Sequence, residues 1–361
     1  MGEDLALLRR WPALREALPR EPLVEVPTPV GRLALPGVPE GALLVKHDGR
    51  SCPLYGGNKP RKLEFVLGEA RRRGARRLVT TGGLGTNHGL ATVILGRRAG
   101  FEVTLVLVDQ PLTAEVARKL LLFAAWGAEL VHGRNLPGAG AQLARVLAAS
   151  RLRGERPMRV PTGGSSPAGN LGLVSAGLEL ALQIERGEIP LPGEIVVPVG
   201  TGGTQAGLVV GLRLAGLAVP VVGALVTDIL PPSPRGQLRA ARRSLGLLRR
   251  LEPAVPEVPL SESDFPLDAS VLGAGYGAPT AEAREAVEVA RSAGLALETT
   301  YTGKALALLR RRLRDGAART PVLFWNTYNG VDVEATAPRP LSEGQLPESF
   351  RRLLAAGGSR G

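Results

Sequence analysis

Residues 195–207 read IVVPVGTGGTQAG, an apolar run that leads directly into a cluster of glycines and threonines. A short run rich in valine and isoleucine is typical of a buried strand, and helical spacing begins at Gly203 and continues to Leu214. A strand, a glycine-rich turn and a helix in this order form the repeating unit of parallel sheets. The stretch therefore predicts an α/β fold.

The same alternation continues on both sides of this stretch. Helices of about 10–15 residues between strands indicate open, mostly parallel twisted sheets flanked by helices. The other strands are predicted at 75–80, 102–108, 128–131, 219–226 and 321–325, and the other helices at 87–99, 113–126, 141–152, 170–185, 279–292 and 303–313. Pro60 predicts a further helix from Lys62 onward. We interpret 235–266, an arginine-rich helix and a proline-rich connection, as a surface excursion.

The composition excludes several classes of protein. With 361 residues, 44% of them hydrophobic and 22% charged, the chain is expected to be globular and to form about two domains. Its single cysteine, Cys52, allows no internal disulfide, which fits a reducing cytoplasm, and with three histidines it makes no zinc-finger set, so no metal is expected. No signal peptide is expected, and the uncharged stretches 160–178 and 195–212 are too rich in Gly, Pro, Ser and Thr for membrane helices.

The net charge of +12 raises the question of nucleic-acid binding. Only 4% of the residues are aromatic and no nucleic-acid-binding module is found, so a solvated, arginine-rich surface explains the charge better. An anionic substrate or cofactor would also use such a field. Lysine is rare, and chemistry that needs a side-chain amine has five candidates: Lys46, Lys59, Lys62, Lys119 and Lys304.

The segment GGNKPRKLE at 56–64 places Lys59 near the start of a predicted helix. The positive end of the helix dipole disfavours a further positive charge, so the pKa of this amine should be lowered. A neutral amine is what covalent bonding to an aldehyde requires. The alternative is a basic residue at the end of a surface helix.

Two glycine-rich turns follow predicted strand ends, where ligands bind in open α/β sheets. TTGGLGTNHG at 80–89 presents Thr86, Asn87 and His88, although a lone histidine is more often packed or capping. GTGGTQAG at 200–207 combines exposed N–H groups with a helix N-terminus, which suits one phosphate group. A plain tight turn is the alternative there.

Three of the four tyrosines lie late in the chain and close to glycines: Tyr276, Tyr301 and Tyr328. A buried tyrosine often makes only one hydrogen bond, although polar residues at 325–330 could close a pocket. An amine, a phosphate cup and polar partners for a phenolate oxygen and a ring nitrogen are together what pyridoxal phosphate requires.

Five segments in this order, GGNKPRKLE, GGLGTNHGLA, VPVGTGGTQAGL, GAGYGAP and YTGKAL, resemble the 1-aminocyclopropane-1-carboxylate deaminase / D-cysteine desulfhydrase family. The resemblance runs from about residue 27 to residue 330. It implies a pyridoxal-phosphate enzyme of the tryptophan-synthase-β-like fold (fold type II) that acts on a small amino acid as a homodimer. A small α/β domain is then expected at 62–161, a large cofactor-binding domain at 1–61 and 162–351, and a flexible tail at 352–361.

The resemblance also implies roles for individual residues. Lys59 would bind the cofactor covalently, and the catalytic set would be completed by Thr86, Tyr276 and Tyr301. The other cofactor contacts would be Lys62, Gly200, Thr201, Gly202, Gly203 and Thr204 at the phosphate, Asn87 at the phenolate oxygen and Thr302 at the ring nitrogen. The substrate would be bound by Thr86, Asn87, His88 and Tyr276.

Two positions depart from the deaminase pattern. Thr302 stands where the deaminases carry Glu, and the desulfhydrase branch reads Tyr-Thr-Gly-Lys as this chain does. A neutral hydroxyl keeps the ring nitrogen protonated less than a carboxylate does, which favours β-elimination over cyclopropane opening. Thr86 replaces the usual Ser, and Gly89 and Leu90 stand where a polar residue is common, so the substrate stays open.

The prediction is a D-cysteine desulfhydrase-like lyase that forms a 2-oxo acid and ammonia, with 1-aminocyclopropane-1-carboxylate deaminase as the alternative. Two other classes compete with it. A nicotinamide dehydrogenase needs an acidic residue about 20 residues after its glycines, yet no acidic residue follows Gly207 before Asp228. A nucleotide- or phosphate-binding protein without lyase activity would keep the phosphate cup and would not need Lys59.

Overall fold

A computed structural model describes residues 4–358. Numbered along the chain, its strands are β1 (Val30–Arg32), β2 (Leu43–His47), β3 (Arg77–Gly83), β4 (Glu102–Val108), β5 (Glu129–Arg134), β6 (Pro157–Arg159), β7 (Glu194–Val199), β8 (Val221–Leu225), β9 (Leu267–Asp268) and β10 (Val322–Asn326). Its α-helices are α1 (Ala6–Arg10), α2 (Leu14–Ala17), α3 (Asn58–Arg72), α4 (Asn87–Arg98), α5 (Ala114–Ala125), α6 (Leu136–Leu152), α7 (Pro167–Glu185), α8 (Gly203–Leu214), α9 (Pro234–Leu251), α10 (Ala281–Ser292), α11 (Thr302–Arg314) and α12 (Glu348–Gly358).

The chain divides into two compact units. Unit 1 holds the residues up to Phe65 together with Ser165–Val331, and unit 2 holds Val66–Gly164 together with the residues from Asp332 onward. The expected division differs in that the segment after Asp332 groups with unit 2. There the Phe350 ring packs on His132 with ring centroids 5.3 Å apart, and residues 352–358 continue α12. Residues 359–361 of the expected tail lie outside the described part of the chain.

Unit 1 contains a six-stranded sheet in the order β1-β2-β10-β7-β8-β9. Only the β1–β2 pair is antiparallel within this sheet, and Leu323 of β10 lies opposite both Leu44 and Ile195. Leu323 and Trp325 of β10 contribute to a core with α7, α8 and α9, whereas Val322 and Phe324 contribute to a second core with α10 and α11. The alternation of side chains along a strand thus explains the helices on both faces of the sheet.

The arginine-rich helix within 235–266, α9, is not the surface excursion that the sequence predicted. Its apolar positions follow one face of α9, and four of them are buried in the core of unit 1: Leu238, Ala241, Leu245 and Leu248. The arginines occupy the opposite, exposed face. The prediction was wrong because it counted the charges and overlooked the helical spacing of the apolar residues between them.

Unit 2 contains a four-stranded parallel sheet in the order β5-β4-β3-β6. Val79 of β3 and Val106 of β4 pack with Ala139 of α6. Helices α4, α5 and α6 each begin at a side chain that accepts a hydrogen bond from the backbone three residues later: Thr86, Thr113 and Asn135. Such caps satisfy N–H groups that a helix start leaves unpaired and explain why these helices begin where they do.

These sheets confirm the predicted α/β class with mostly parallel strands. Several boundaries and short elements differ from the prediction, and two of them matter for the site. Helix α3 begins at Asn58, before the expected start at Lys62, and β2 was not predicted because Lys46 interrupts its apolar run. No helix in the described range 4–358 is both long and apolar enough to span a bilayer.

Candidate active site

Two glycines before Lys59 allow an unusually close backbone packing in unit 1. A Cβ on Gly56 would lie 1.6 Å from the carbonyl oxygen of Gly49. Gly57 has a φ of +82°, and its Cβ would lie 2.3 Å from the carbonyl oxygen of Thr327. Only glycine fits at either position, so the GG pair seats the start of α3 against the residues after β10. The late segment at 325–330 therefore packs against the start of α3, where Lys59 lies.

A buried network of charges anchors α3 immediately after Lys59. The Arg61 guanidinium donates to Asp48 at 2.8 Å and to Glu179 at 2.9 Å, and Lys46 Nζ donates to Glu179 at 2.6 Å. The indole of Trp325 donates to Asp48 at 2.8 Å. Arg61 and Lys46 hold the pKa of Glu179 at about 2 although burial alone would raise it. The sequence analysis missed this network, and a buried lysine within an apolar run was its only local sign.

Lys59 stands at the first turn of α3 with a perturbed amine. Its Nζ donates to Asn58 Oδ1 at 2.8 Å, and Asn58 Nδ2 donates to Thr204 Oγ1 at 2.8 Å. Desolvation lowers the pKa of Lys59 from 10.5 to about 8, against the opposing charge of Glu298. The direction agrees with the expectation from the helix dipole, but the cause is burial by surrounding protein. A neutral amine is therefore accessible near pH 8.

Hydroxyl groups and a lysine surround the N-terminus of α8. Gly202 caps this helix with a φ of +81°, and no side chain caps it by a hydrogen bond. Ser165 Oγ lies 2.6 Å from Thr201 Oγ1 and accepts a hydrogen bond of 3.0 Å from Lys62 Nζ. We call these residues, with Gly203 and Thr204, the α8 cup. Burial lowers the pKa of Lys62 well below its ordinary value, and the charge of Lys59 lowers it further.

The α8 cup has the shape and the donors that a phosphate group needs. A Cβ on Gly203 would lie 2.4 Å from Ser165 Oγ and 2.9 Å from Lys62 Nζ, so a side chain there would fill the space that these polar groups face. Backbone N–H groups at a helix N-terminus, two hydroxyls and an amine bind anions. A phosphate would stabilise the charged form of the desolvated Lys62, so the residues present fit the cofactor's phosphate.

The two predicted tyrosines meet in unit 1. Tyr301 donates its hydroxyl proton to Tyr276 Oη at 3.0 Å, and the rings pack edge to face with centroids 6.0 Å apart. The ring of Tyr301 also lies beside the α8 cup, since a Cβ on Gly200 would be 3.2 Å from its Cε1. Burial raises the pKa of Tyr301 well above 10, and Tyr276 adds to the shift. Tyr301 therefore keeps its proton at neutral pH.

Three residues that the sequence analysis missed position the tyrosines. Asp228 accepts a hydrogen bond of 2.9 Å from the N–H of Tyr276, and Lys304 Nζ donates to the carbonyl oxygens of Leu272 and Gly275 at 2.8 and 3.2 Å. Glu298 accepts a hydrogen bond of 2.9 Å from the N–H of Tyr301, as Asp228 does from Tyr276. Each contact joins a side chain to a backbone group in another part of unit 1 or across a turn. No spacing in the sequence indicated them.

Thr302 is completely buried at the first position of α11. Its N–H donates to Glu298 Oε1 at 2.9 Å, and its Oγ1 lies 3.3 Å from the same oxygen. The carboxylate of Glu298 therefore lies next to the neutral hydroxyl of Thr302. The sequence did not indicate this arrangement, because the resemblance concerned only position 302 and not Glu298.

The remaining predicted site residues belong to unit 2. Thr86 is buried and its hydroxyl accepts the N–H of Gly89 at 3.1 Å, so it serves as the cap of α4. Asn87 is partly exposed at the first position of that helix. His88 is 3% exposed, and its Nε2 lies 3.1 Å from Thr80 Oγ1. These contacts favour the packed alternative for His88 over direct binding of a substrate.

Comparison with known proteins identifies relatives over most of the chain. The chain is 37% identical over 320 residues to nocardicin C-9' epimerase of Nocardia uniformis subsp. tsuyamanensis. The aligned region covers 86% of this chain and 93% of that protein. The chain is 31% identical over 321 residues to D-cysteine desulfhydrase of Salmonella paratyphi A, with the same two coverages of 86% and 93%. A crystal structure described as an ACC deaminase homologue superposes with a TM-score of 0.75 at 28% identity, covering 90% of this chain and 95% of the other.

A family model completes the comparison. The model for pyridoxal-phosphate dependent enzymes matches residues 21–327, which include Lys59, the α8 cup and both tyrosines. The match confirms the resemblance stated from the sequence motifs, the fold type and the cofactor. The chain belongs to the family of pyridoxal-phosphate-dependent enzymes.

Proposed function

We propose that this enzyme is a lyase that eliminates the β-substituent of a small amino acid, most readily D-cysteine. D-cysteine and water would give hydrogen sulfide, a 2-oxo acid and ammonia. The observation that carries the proposal is the position of Lys59, which is linked to Thr204 of the α8 cup through Asn58 and whose pKa is lowered to about 8. The 31% identity to D-cysteine desulfhydrase and the Tyr-Thr-Gly-Lys sequence at 301–304 support the choice of substrate.

The residues of unit 1 would supply most contacts for the cofactor. Lys59 would bind it covalently, the α8 cup would hold its phosphate, and Thr302 would face its ring nitrogen. When bound, pyridoxal phosphate withdraws electrons from the substrate's α-carbon and so makes its proton acidic.

The two perturbed groups suggest which residue moves which proton. Lys59 has a pKa of about 8, so a sizeable fraction of its amine is neutral at physiological pH and can take the α-proton. Tyr301 keeps its proton because burial raises its pKa, and it donates that proton to Tyr276 Oη at 3.0 Å. The two hydroxyls would therefore stabilise a departing thiolate by hydrogen bonding, with Tyr301 orienting Tyr276.

The deaminase alternative depends on the group behind Thr302. The deaminase pattern places a carboxylate at position 302, whereas here the carboxylate of Glu298 lies 3.3 Å behind the Thr302 hydroxyl. A hydroxyl that donates to a carboxylate becomes a better acceptor, yet it still carries no charge to the ring nitrogen. This weaker stabilisation of a protonated ring favours elimination over cyclopropane opening.

Epimerisation is a second candidate reaction. It needs one group to take the α-proton and another to return a proton to the opposite face. We assign these roles to Lys59 and to the Tyr301–Tyr276 pair, because burial lowers the pKa of Lys59 and raises that of Tyr301. The 37% identity to nocardicin C-9' epimerase favours this reading. The same pair would eliminate when the substrate carries a leaving group at its β-carbon and epimerise when it does not.

One experiment separates the candidates. The holoenzyme is incubated in D₂O with D-cysteine, L-cysteine, 1-aminocyclopropane-1-carboxylate and an amino acid without a β-leaving group. We expect sulfide, 2-oxo acid and ammonia in equal amounts from D-cysteine. Deuterated opposite enantiomer without ammonia would instead establish an epimerase. Binding of the cofactor without turnover of any compound would leave a phosphate-ligand-binding protein and contradict the lyase proposal.

The reaction of apoprotein with pyridoxal phosphate should depend on pH through Lys59. Only the neutral amine attacks the aldehyde, so below pH 8 the attachment rate should rise about tenfold per pH unit and then level off near the Lys59 pKa of about 8. Stopped-flow absorbance from pH 6.5 to 9.5 would measure it. Since the charge of Glu298 raises this pKa, Glu298→Gln should move the plateau to lower pH. A plateau that begins near pH 10.5 would contradict the assignment.

Tyr301→Phe should separate proton removal from proton donation. The variant keeps the ring and loses the hydroxyl, so we expect product formation to fall by about 10²–10⁴-fold. Exchange of the α-hydrogen with D₂O, which depends on Lys59, and the visible band of bound cofactor should be retained. Parallel loss of exchange and elimination would show that Tyr301 is the base instead.

The homodimer and the cytoplasmic location that the sequence suggested stay predictions. Light scattering of the purified holoenzyme would test the first of them.

A further inference from the structure

A buried glutamine lies against the α8 cup and takes part in none of the contacts described above. Gln237, in the first turns of α9, is 2% exposed. Within residues 4–358, neither its amide nitrogen nor its amide oxygen has a hydrogen-bond partner. An unpaired buried amide costs free energy comparable to a lost hydrogen bond, so such groups are rare and call for a physical explanation.

The position of this amide relates it to the cup. A Cβ on Gly202 would lie 3.0 Å from both Cγ and Oε1 of Gln237, so the side chain packs directly over the glycine that caps α8. No side chain covers the helix N-terminus by a hydrogen bond at this position. Any residue larger than glycine at 202 would separate the amide of Gln237 from the helix start.

The donors already in the α8 cup lie on a different side of it from Gln237. Lys62 and Ser165 face the space beside Gly203, whereas Gln237 approaches over Gly202. An amide N–H from this direction would complete the ring of donors around an anion with several acceptor oxygens. Hydrogen bonds to a charged acceptor are stronger than those between neutral groups, so this anion would satisfy the buried amide.

We propose that Gln237 is a further binding residue for the cofactor's phosphate. Its amide would turn about the last side-chain bond so that Nε2, in place of Oε1, donates an N–H over Gly202. The inference rests on the proposed function only in that the cup binds the cofactor, and it is independent of which reaction follows. It also assigns a second role to Gly202, which gives the amide access in addition to adopting a positive φ.

The test measures affinity and does not require turnover. Apoprotein prepared from holoenzyme is titrated with pyridoxal phosphate and, separately, with pyridoxal, which has the same ring and aldehyde but no phosphate. In Gln237→Leu we expect the Kd for pyridoxal phosphate to rise about tenfold, while the Kd for pyridoxal stays unchanged. The ³¹P resonance of the bound cofactor should shift. The Tm of the apoprotein should stay equal or rise, because an unpaired polar group has been removed from the interior.

Leu238→Ala provides a matched control. Leu238 neighbours Gln237 on α9 and belongs to the buried core, so its truncation disturbs the same helix and leaves the amide intact. It should lower the Tm without changing the ratio of the two Kd values. Gln237→Met, which is unbranched and also lacks the amide, should repeat the loss of affinity and keeps the test decisive if the leucine variant does not fold.

Two results would overturn the proposal. One is an unchanged Kd for pyridoxal phosphate in both variants, as expected if the amide only contacts a buried water. The other is an equal loss of affinity for pyridoxal and its phosphate, as expected from a general disturbance of α9. An enzyme that binds the cofactor through Gln237 but turns over no amino acid would contradict the proposed function and leave this inference standing.

Discussion

Lys59→Ala should abolish both the visible absorption of the enzyme and its turnover. In our proposal this side chain supplies both the covalent bond to the cofactor and the base that takes the α-proton. Loss of a positioned base alone slows a reaction by about 10²–10⁴-fold, and loss of the covalent bond adds to this. The spectrum of the purified variant after incubation with excess pyridoxal phosphate, together with sulfide release from D-cysteine, measures both effects.

Lys119→Ala is the matched control for this variant. Lys119 pairs with Glu115 on α5 and lies outside the candidate site, so the variant should keep its colour and activity. Borohydride reduction followed by peptide mapping should label Lys59 in the wild type and in Lys119→Ala. A label on Lys62 or Lys304, or a visible band that survives Lys59→Ala, would refute the assignment of the cofactor-binding lysine.

Glu179→Ala should destabilise unit 1 severely. The carboxylate pairs with Lys46 at 2.6 Å and with Arg61 at 2.9 Å, and all three side chains are at most 5% exposed. Its removal leaves the buried Lys46 without a carboxylate partner and Arg61 with Asp48 alone, and breaking a buried ion pair typically costs about 3–5 kcal/mol. Urea denaturation of the purified variant would measure the loss. Because Arg61 follows Lys59 by two residues on α3, cofactor affinity should fall as well.

Glu115→Ala is the surface counterpart. It removes one partly exposed ion pair between residues four apart on a helix, and such pairs contribute about 0.3–0.5 kcal/mol, so the urea midpoint of this variant should be close to that of the wild type. A similarly small effect of Glu179→Ala would show that the buried network does not stabilise the fold.

The lowered pKa of Glu179 predicts that the folded protein loses stability in acid. The pKa of Glu179 is lowered from 4.5 to about 2 in the folded protein, mainly because of Arg61 and Lys46. The unfolded chain therefore binds a proton at a pH where the folded protein does not. The contribution of this pair is present in full above about pH 5 and is lost as the pH falls toward 2.

The candidate site could be predicted from the sequence only where its chemistry is local. Lys59 and the turn at 200–204 were found because a glycine pair, a rare lysine and a strand–turn–helix order stand next to each other along the chain. Glu298, Asp228 and Gln237 were missed because each acts on a residue that it reaches through a turn or through packing. Their own neighbours in the sequence carry no sign of that contact.

The fold shows the same division. Parallel strands and intervening helices were predicted from apolar periodicity, since the period of a buried face depends only on local geometry. The prediction that helix α9 lies at the surface was wrong because it rested on the arginines and not on the helical spacing of Leu238, Ala241 and Leu245. The hairpin of β1 and β2 was missed because Lys46 breaks an apolar run, and the partner that makes this charge tolerable lies 133 residues later.

The sequence by itself determined the α/β class and the cofactor, and it singled out Lys59 as the lysine that we propose binds this cofactor. Only the tertiary structure decided the properties that make these residues reactive: the desolvation that lowers the pKa of Lys59, the contact between Tyr276 and Tyr301, and the amide of Gln237 over Gly202. The physical reason is that propensity, periodicity and turn chemistry act between neighbours in the chain. Burial and electrostatic shifts arise from residues that meet only when the chain is packed.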